Sequence, residues 1–176
     1  MEMRTARSCA IFCMGVWLTG TVAMAVVATE NFYTIDRLLE ARPNPAFAAD
    51  IDKFGHDTTR ELLRYLSSEL NRLYFQLWNL VQLAVGILAL WLVMKLPGSN
   101  KLKWWIVGML AIVLFLTAVI TPFILSVGRS IDFVPRDPPP DGLRTFGLLH
   151  ATYTVFDGIM LILGVMATIS LVKMKD

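Results

Sequence analysis

Four long stretches of the chain are free or almost free of charge, and no other feature constrains its fold as strongly. They cover residues 8–29, 73–94, 104–128 and 145–172. An α-helix needs about 20 apolar residues to cross about 30 Å of hydrocarbon, and each stretch exceeds that length. The sequence therefore predicts an all-α integral membrane protein, a four-helix bundle that forms one domain over residues 1–176.

Composition and motifs narrow the class of protein further. With 56% hydrophobic and 17% charged residues, the chain is more apolar than an ordinary soluble domain. Its net charge of +2 is small and its Lys and Arg residues are dispersed, which argues against nucleic-acid binding. The sequence contains no phosphate-binding glycine loop, no paired-histidine zinc helix, no nucleophile elbow and no CxxC motif. We therefore expect neither an enzyme nor a metal centre.

The basic residues between the apolar stretches are distributed asymmetrically. Seven of them fall at the start of the chain, between the second and third stretches, and at the end: Arg4, Arg7, Lys95, Lys101, Lys103, Lys173 and Lys175. The positive-inside rule makes that side cytoplasmic. The prediction is an N-in, C-in protein of a membrane, in particular a bacterial inner (cytoplasmic) membrane.

The first apolar stretch has two interpretations. Arg4 and Arg7 precede it, and Ala23, Ala25 and Ala28 would suit cleavage of a secretory signal. Its uncharged length exceeds that of a usual signal core, so we expect a retained helix. Cys9 and Cys13 fall on one face of that helix, where packing is the first interpretation and metal binding or a disulfide the second.

The second span is predicted to extend beyond the membrane. Asp57 suits the N-cap of a helix that runs over residues 58–95, about 57 Å at 1.5 Å per residue. The outer part of this helix carries leucines at helical spacing, which could pack on the chain's own apolar residues or dock on a partner. The leucines are Leu62, Leu63, Leu66 and Leu70, and the internal candidates are Phe47, Ile51 and Phe54.

Prolines mark two other places in the outer half of the chain. The pair Thr121-Pro122 predicts that the third span kinks or ends near the outer interface. The outer connectors are expected at residues 30–72 and 129–144, and the second contains the run 138–140, all proline. Such a run favours a stiff polyproline II strut.

A few polar groups lie inside the apolar stretches. Asp157 is the one formally charged side chain deep in a span, where a carboxylate is costly unless paired or protonated. Helical spacing places it on the same face as His150 and Thr154. The second span adds Gln76, Asn79 and Gln82. We hypothesise that spans two and four are neighbours joined by hydrogen bonds through these groups.

The polar groups have two interpretations. They could hold the helices together, as polar residues in membrane bundles commonly do. They could instead form a proton, ion or cofactor site in which His150 ligates a haem iron or binds a quinone. A haem held by two histidines within the bundle is disfavoured, because the only other histidine, His56, lies in the outer connector. No cofactor is predicted, with haem or quinone as the alternative.

Short segments resemble a four-helix membrane family of unknown function that includes the eukaryotic transmembrane-protein-205-like proteins. They are Trp17 and Gly20 with Phe32 and Leu38, the pair Thr121-Pro122, and Arg144, Phe146, Leu149 and His150. The resemblance implies a four-helix bundle and marks His150 as a position of interest, but it supplies no reaction. The longer, charged first connector with Pro43 and Pro45 departs from the family pattern.

These observations favour a non-catalytic membrane protein, a subunit or accessory component of a larger complex. Its expected partners are membrane lipids and other membrane subunits, not nucleic acid. Two alternatives remain open. One is a component of an electron-transfer complex that uses His150, and the other is a small transporter or metal-tolerance protein that uses Asp157.

Overall fold

A computed structural model describes residues 2–174, and within that range the chain forms helices and no strand. Lys175, which entered the charge count, lies outside the described residues. A π-helical segment, Leu116–Ile120, joins the fourth and fifth helices. The α-helices are α1 (Met3–Ala41), α2 (Pro45–Phe54), α3 (His56–Met94), α4 (Asn100–Phe115), α5 (Thr121–Ser130) and α6 (Gly142–Lys173).

Four helical segments are long and apolar enough to cross a membrane: α1, α3, α4 to α5, and α6. Only 22% to 33% of the residues in their most apolar windows are buried, so most side chains there face outwards. A water-soluble helix would bury such a surface, whereas lipid accepts it. The prediction of an all-α chain with four helices able to span a membrane is confirmed.

α1, α3, α4 and α6 share one large cluster of buried apolar residues. α3 packs on α1 and α4, and α6 packs on α1, α4 and α5, whereas α3 and α6 make few direct contacts. The prediction that hydrogen bonds join spans two and four is confirmed at one position, where Tyr153 of α6 donates to Asn79 of α3, but the two helices do not pack along their length. The large side chains that fill the core are fully buried, among them Met14, Trp17, Met109, Met160 and Leu171.

The two described ends of the chain lie close together. The Arg7 guanidinium donates a hydrogen bond to the backbone carbonyl of Met174, just past the end of α6. The first turns of α1 and the last turn of α6 therefore share one end of the molecule. Of the other predicted cytoplasmic lysines, Lys95 lies in the short connector between α3 and α4, and Lys101 and Lys103 lie at the start of α4.

The outer part of α3 is one unbroken helix, and it starts earlier than the sequence predicts. Its N-cap is Gly55, whose φ of 87° is accessible to glycine at little cost. Asp57 is therefore not the N-cap. It lies in the first turn, where its charge is favourable beside the positive end of the helix dipole.

The leucines of this outer segment divide between two environments. Leu63 packs against a small apolar cluster built from Ile35, Leu39 and Ile51. Leu62 and Leu66 remain exposed. Packing within the chain therefore covers only some of these leucines, and Leu62 and Leu66 form an open surface.

Pro122 does not end the third span. The helix continues to Ser130, and the π-helical segment occupies the turn before the proline. There the Thr121 N–H bonds to the carbonyl of Leu116, five residues earlier. The backbone thus accommodates the proline through a π-bulge. Such bulges often occur at functional positions.

Candidate functional site

Asn79 links three helical segments in the middle of the molecule. Its side chain is completely buried. Its Nδ2 donates to the Thr121 hydroxyl at 3.1 Å, and its Oδ1 accepts from the Tyr153 hydroxyl at 2.7 Å. α3, α5 and α6 are therefore joined by one amide, and Phe75 of α3 packs edge-on against the Tyr153 ring.

Gln82 bonds towards α1 and away from α6. In the amide orientation that gives both indole N–H groups an acceptor, its Oε1 accepts from Trp17 at 3.0 Å and from Trp78 at 3.2 Å. The Thr21 hydroxyl lies 3.2 Å from the same amide. Gln82 is fully buried, so these bonds satisfy a polar group that would otherwise be costly in the membrane.

The two tryptophans also pack on glycines of the opposite helix. Trp78 of α3 lies against Gly20 of α1, where an added Cβ would be 1.9 Å from the ring. Trp17 of α1 lies against Gly86 of α3, where the distance would be 2.6 Å. This reciprocal arrangement lets α1 and α3 approach closely, as small residues do in membrane proteins.

A further polar set joins α1 to α3 beyond these tryptophans. The Asn71 amide donates to the Ala28 carbonyl at 2.9 Å and accepts from Asn31 at 2.6 Å. The Ser67 hydroxyl donates to the Asn31 carbonyl at 3.1 Å. The buried face of α3 is thus polar in its outer half.

Arg72 forms an ion-pair cluster with the second outer connector. Its guanidinium, which is largely buried, lies 2.8 Å from an Asp132 carboxylate oxygen. It also pairs with Glu69, which accepts two further bonds from Arg129. The cluster fixes the start of that connector against α3.

Asp157 has no hydrogen-bond partner for its buried Oδ1 among residues 2–174. Its side chain is only partly exposed, and Phe156 beside it packs edge-on against Phe115 of α4. Neither Gln76 nor Gln82 bonds to it. The predicted hydrogen-bonded network through Asp157 is therefore absent from the described residues, where the buried Oδ1 of its carboxylate accepts no hydrogen bond.

His150 and Thr154 lie on the exposed face of α6. The His150 imidazole stacks on Phe146, with ring centroids 6.2 Å apart and planes 11° from parallel. The Thr154 hydroxyl donates to the His150 carbonyl within the same helix. His150 is exposed, whereas Asn79 and Tyr153 are buried, and the assignment of a haem or quinone to His150 stays a prediction.

A groove of about 200 Å³ opens beside Asn79, between α3 and the π-helical segment. Gln76, Thr117 and Pro122 line it together with Asn79 and Thr121. Gln76 is exposed at its edge, whereas Asn79 and Thr121 form its buried wall. The exposed Gln76 amide is therefore the accessible polar group of the groove, because the Asn79 amide and the hydroxyls of Thr117 and Thr121 already hydrogen-bond within the chain.

No family model, no curated protein and no solved structure matches this chain. The resemblance to the four-helix family of unknown function stays a prediction. The assignment of function therefore depends on the geometry described above.

Sequence reasoning missed several residues of this centre. Tyr153, Trp17, Trp78 and Thr21 all bond to a buried amide. One signal was available, because Trp17 lies in the middle of its apolar stretch, well away from the interfacial position that tryptophan favours. A mid-span tryptophan needs an acceptor for its N–H, and Gln82 supplies it.

Proposed function

We propose that this chain is a non-catalytic component of a larger membrane assembly, and that it binds another membrane protein along one face of α3. A single observation carries the proposal: that face is apolar and exposed from the outer extension through most of the membrane span. Its exposed residues are Leu62, Leu66, Leu73, Leu77, Leu80 and Ile87.

Lipid accounts for only part of this surface. Leu62 and Leu66 lie outside the uncharged stretch and expose 53% and 54% of their surface. Burial of such side chains contributes about 25 cal/mol for each Å² of apolar surface removed from water or headgroups. A helix from a partner, laid along α3, would cover these leucines and the lipid-facing ones together.

Gln76 gives the same face a polar contact. With Leu73, Leu77 and Leu80 it follows the i, i+3, i+4, i+7 spacing of one helical face. An exposed amide at this depth is costly in hydrocarbon but favourable opposite a hydrogen-bonding group. The groove beside Asn79 continues this surface towards α5.

The four spanning helices are proposed to form a bundle with both termini in the cytoplasm of a bacterial cell. Supporting this topology, the described basic residues Arg4, Arg7, Lys103 and Lys173 lie at the end where α1 begins and α6 finishes. The long α3 and its connector α2 then project on the outer side.

Purification in mild detergent tests the docking proposal. We expect wild type to elute with one stoichiometric membrane partner and a Leu66→Lys variant to lose it, because a charge replaces an interface leucine. Tyr33→Lys is the matched control, since Tyr33 is an exposed residue of the α1 extension. A lone monodisperse monomer, or equal loss in both variants, would contradict the proposal.

Asp157 supports a second candidate function, a small transporter that binds a proton or cation. The observation that favours it is the buried carboxylate oxygen without a partner among the described residues. Proteoliposomes with an imposed pH gradient test this candidate. Wild type should dissipate the gradient faster than Asp157→Asn, and equal rates would contradict a transport function.

A further inference from the structure

A second groove lies at the opposite, lysine-rich end of the molecule, between α4 and α6. It measures about 290 Å³ and is lined by Trp105, Met166, Ile169, Ser170 and Lys173. Trp105 forms the α4 wall, and the other four residues form the α6 wall. The groove is separate from the α3 face and from Asn79.

The α6 wall changes from apolar to polar along its length. Its four residues follow the i, i+3, i+4, i+7 spacing, so they form one strip about 10 Å long. Met166 and Ile169 stand nearer the membrane centre, and Ser170 and Lys173 stand at the helix end. A phospholipid has the same order, with acyl chains inside and a phosphate at the surface.

The charge at this end favours an anionic headgroup. Lys173 is exposed in the last turn of α6, and Lys103 lies two residues before Trp105 in α4. The first turn of α4 contains no acidic residue to compete for these ammonium groups. Trp105 adds an indole at a depth where tryptophan commonly meets headgroups.

We propose that this groove binds one anionic phospholipid, with the phosphate at Lys173 and Ser170 and an acyl chain against Met166 and Ile169. Basic pockets between transmembrane helices commonly hold anionic headgroups on the cytoplasmic side. The lipid would fill the space between α4 and α6 and hold the end of α6 against α4. This site does not depend on whether a partner binds α3.

Native mass spectrometry of the full-length protein tests the proposal with phosphatidylglycerol and phosphatidylcholine as probes. Wild type should retain one phosphatidylglycerol and release phosphatidylcholine. Lys173→Gln should weaken retention about five-fold, as a contribution of about 1 kcal/mol per basic residue implies. Ile169→Trp, which fills the apolar half of the groove, should also reduce retention.

A control variant distinguishes a specific binding site from general attraction to surface charge. Lys95→Gln removes the same charge at the same end, but Lys95 lies over the Trp91 ring on α3 and does not line the groove. It should retain phosphatidylglycerol as wild type does. Three results would overturn the proposal. They are equal loss of phosphatidylglycerol in both lysine variants, equal retention of the two lipids, and displacement of the bound lipid by millimolar inorganic phosphate. Unchanged thermal unfolding confirms that the variants fold.

Discussion

At the residue scale, the molecule is organised by buried amides. Asn79 and Gln82 are completely buried, yet each meets donors or acceptors from other helices. Inside a membrane these bonds replace water, and each contributes about 1 kcal/mol. Their geometry also limits how the helices can rotate, because a turned helix would leave an amide unpaired.

Gly20 provides the sharpest test of the close approach between α1 and α3. An added Cβ at Gly20 would stand 1.9 Å from the Trp78 ring, so Gly20→Ala must displace either that ring, which bonds Gln82, or the helices themselves. We expect a loss of about 1–3 kcal/mol, seen as a lower unfolding temperature in detergent. Gly15→Ala is the control, because no atom lies within 4 Å of an added Cβ there. Equal unfolding temperatures for the two variants would contradict the packing.

The bond between Asn79 and Tyr153 can be measured by a double-mutant cycle. Asn79→Leu and Tyr153→Phe each remove one partner, and together they remove both. The coupling energy should be about 0.5–1 kcal/mol in favour of the bond. Additive effects of the two substitutions on unfolding would show that the hydroxyl and the amide do not interact.

Sequence reasoning identified the amides but not their partners. Gln76, Asn79 and Gln82 are conspicuous in an apolar run, so their position could be predicted. Which helix each one meets depends on rotation about the helix axes, and hydropathy contains no information on rotation. For that reason Gln82 was expected opposite α6 and instead bonds to Trp17 of α1.

At the element scale, α3 reverses the polarity of a water-soluble helix. Its buried residues include Ser67, Asn71, Asn79, Gln82 and Gly86, whereas its exposed residues along the apolar stretch are mainly apolar. Helices in lipid approach through small and polar side chains because apolar ones gain little by leaving lipid. The length and continuity of α3 followed from the sequence, but the buried face did not.

The extensions of α1 and α3 are held by an ion pair whose effect should depend on pH. Arg60 donates to both Asp36 carboxylate oxygens, at 2.7 Å and 3.1 Å. These hydrogen bonds lower the pKa of Asp36 below its ordinary 3.8. A lowered pKa means that the stabilisation is complete above pH 3.8 and is lost as pH falls through the folded-state value.

An Asp36→Asn variant tests this dependence. At neutral pH the variant should unfold at a lower temperature than wild type. The difference should begin to shrink below pH 3.8 and should vanish only below the lowered folded-state pKa, where the folded wild-type carboxylate is protonated. A difference that stays constant with pH would show that packing, and not charge, is responsible. Asp50→Asn on the exposed surface of α2 is the matched control, and no ion pair of the described residues includes Asp50.

At the scale of the whole molecule, the two ends differ in kind. One end carries the N-terminal extension of α3, the short α2 and the Arg72 cluster, whereas the end where α1 begins and α6 finishes is short and basic. The four apolar helices could be predicted from the uncharged stretches of the sequence. That α3 and α6 meet at Asn79 and Tyr153 but do not pack along their length could not be predicted, because connector lengths leave several arrangements of four helices open.

The proposed topology predicts the accessibility of the connector between α3 and α4. An Asn100→Cys variant in sealed cells should react with a membrane-permeant maleimide and resist an impermeant one, because the connector faces the cytoplasm. Asp137→Cys in the outer connector should react with both reagents. Reaction of Cys at position 100 with the impermeant reagent would reverse the topology.

Site-specific photocrosslinking tests the docking role most directly. Leu77 on α3 and Leu148 on α6 are both exposed, and each lies three or four residues inside its apolar stretch. With a photoreactive residue at either position, irradiated cells should yield one discrete adduct with a different membrane protein from position 77 and none from position 148. The docking role would be contradicted by equal adducts from both positions, by no protein adduct at position 77, or by an adduct of twice the 19.8 kDa chain mass.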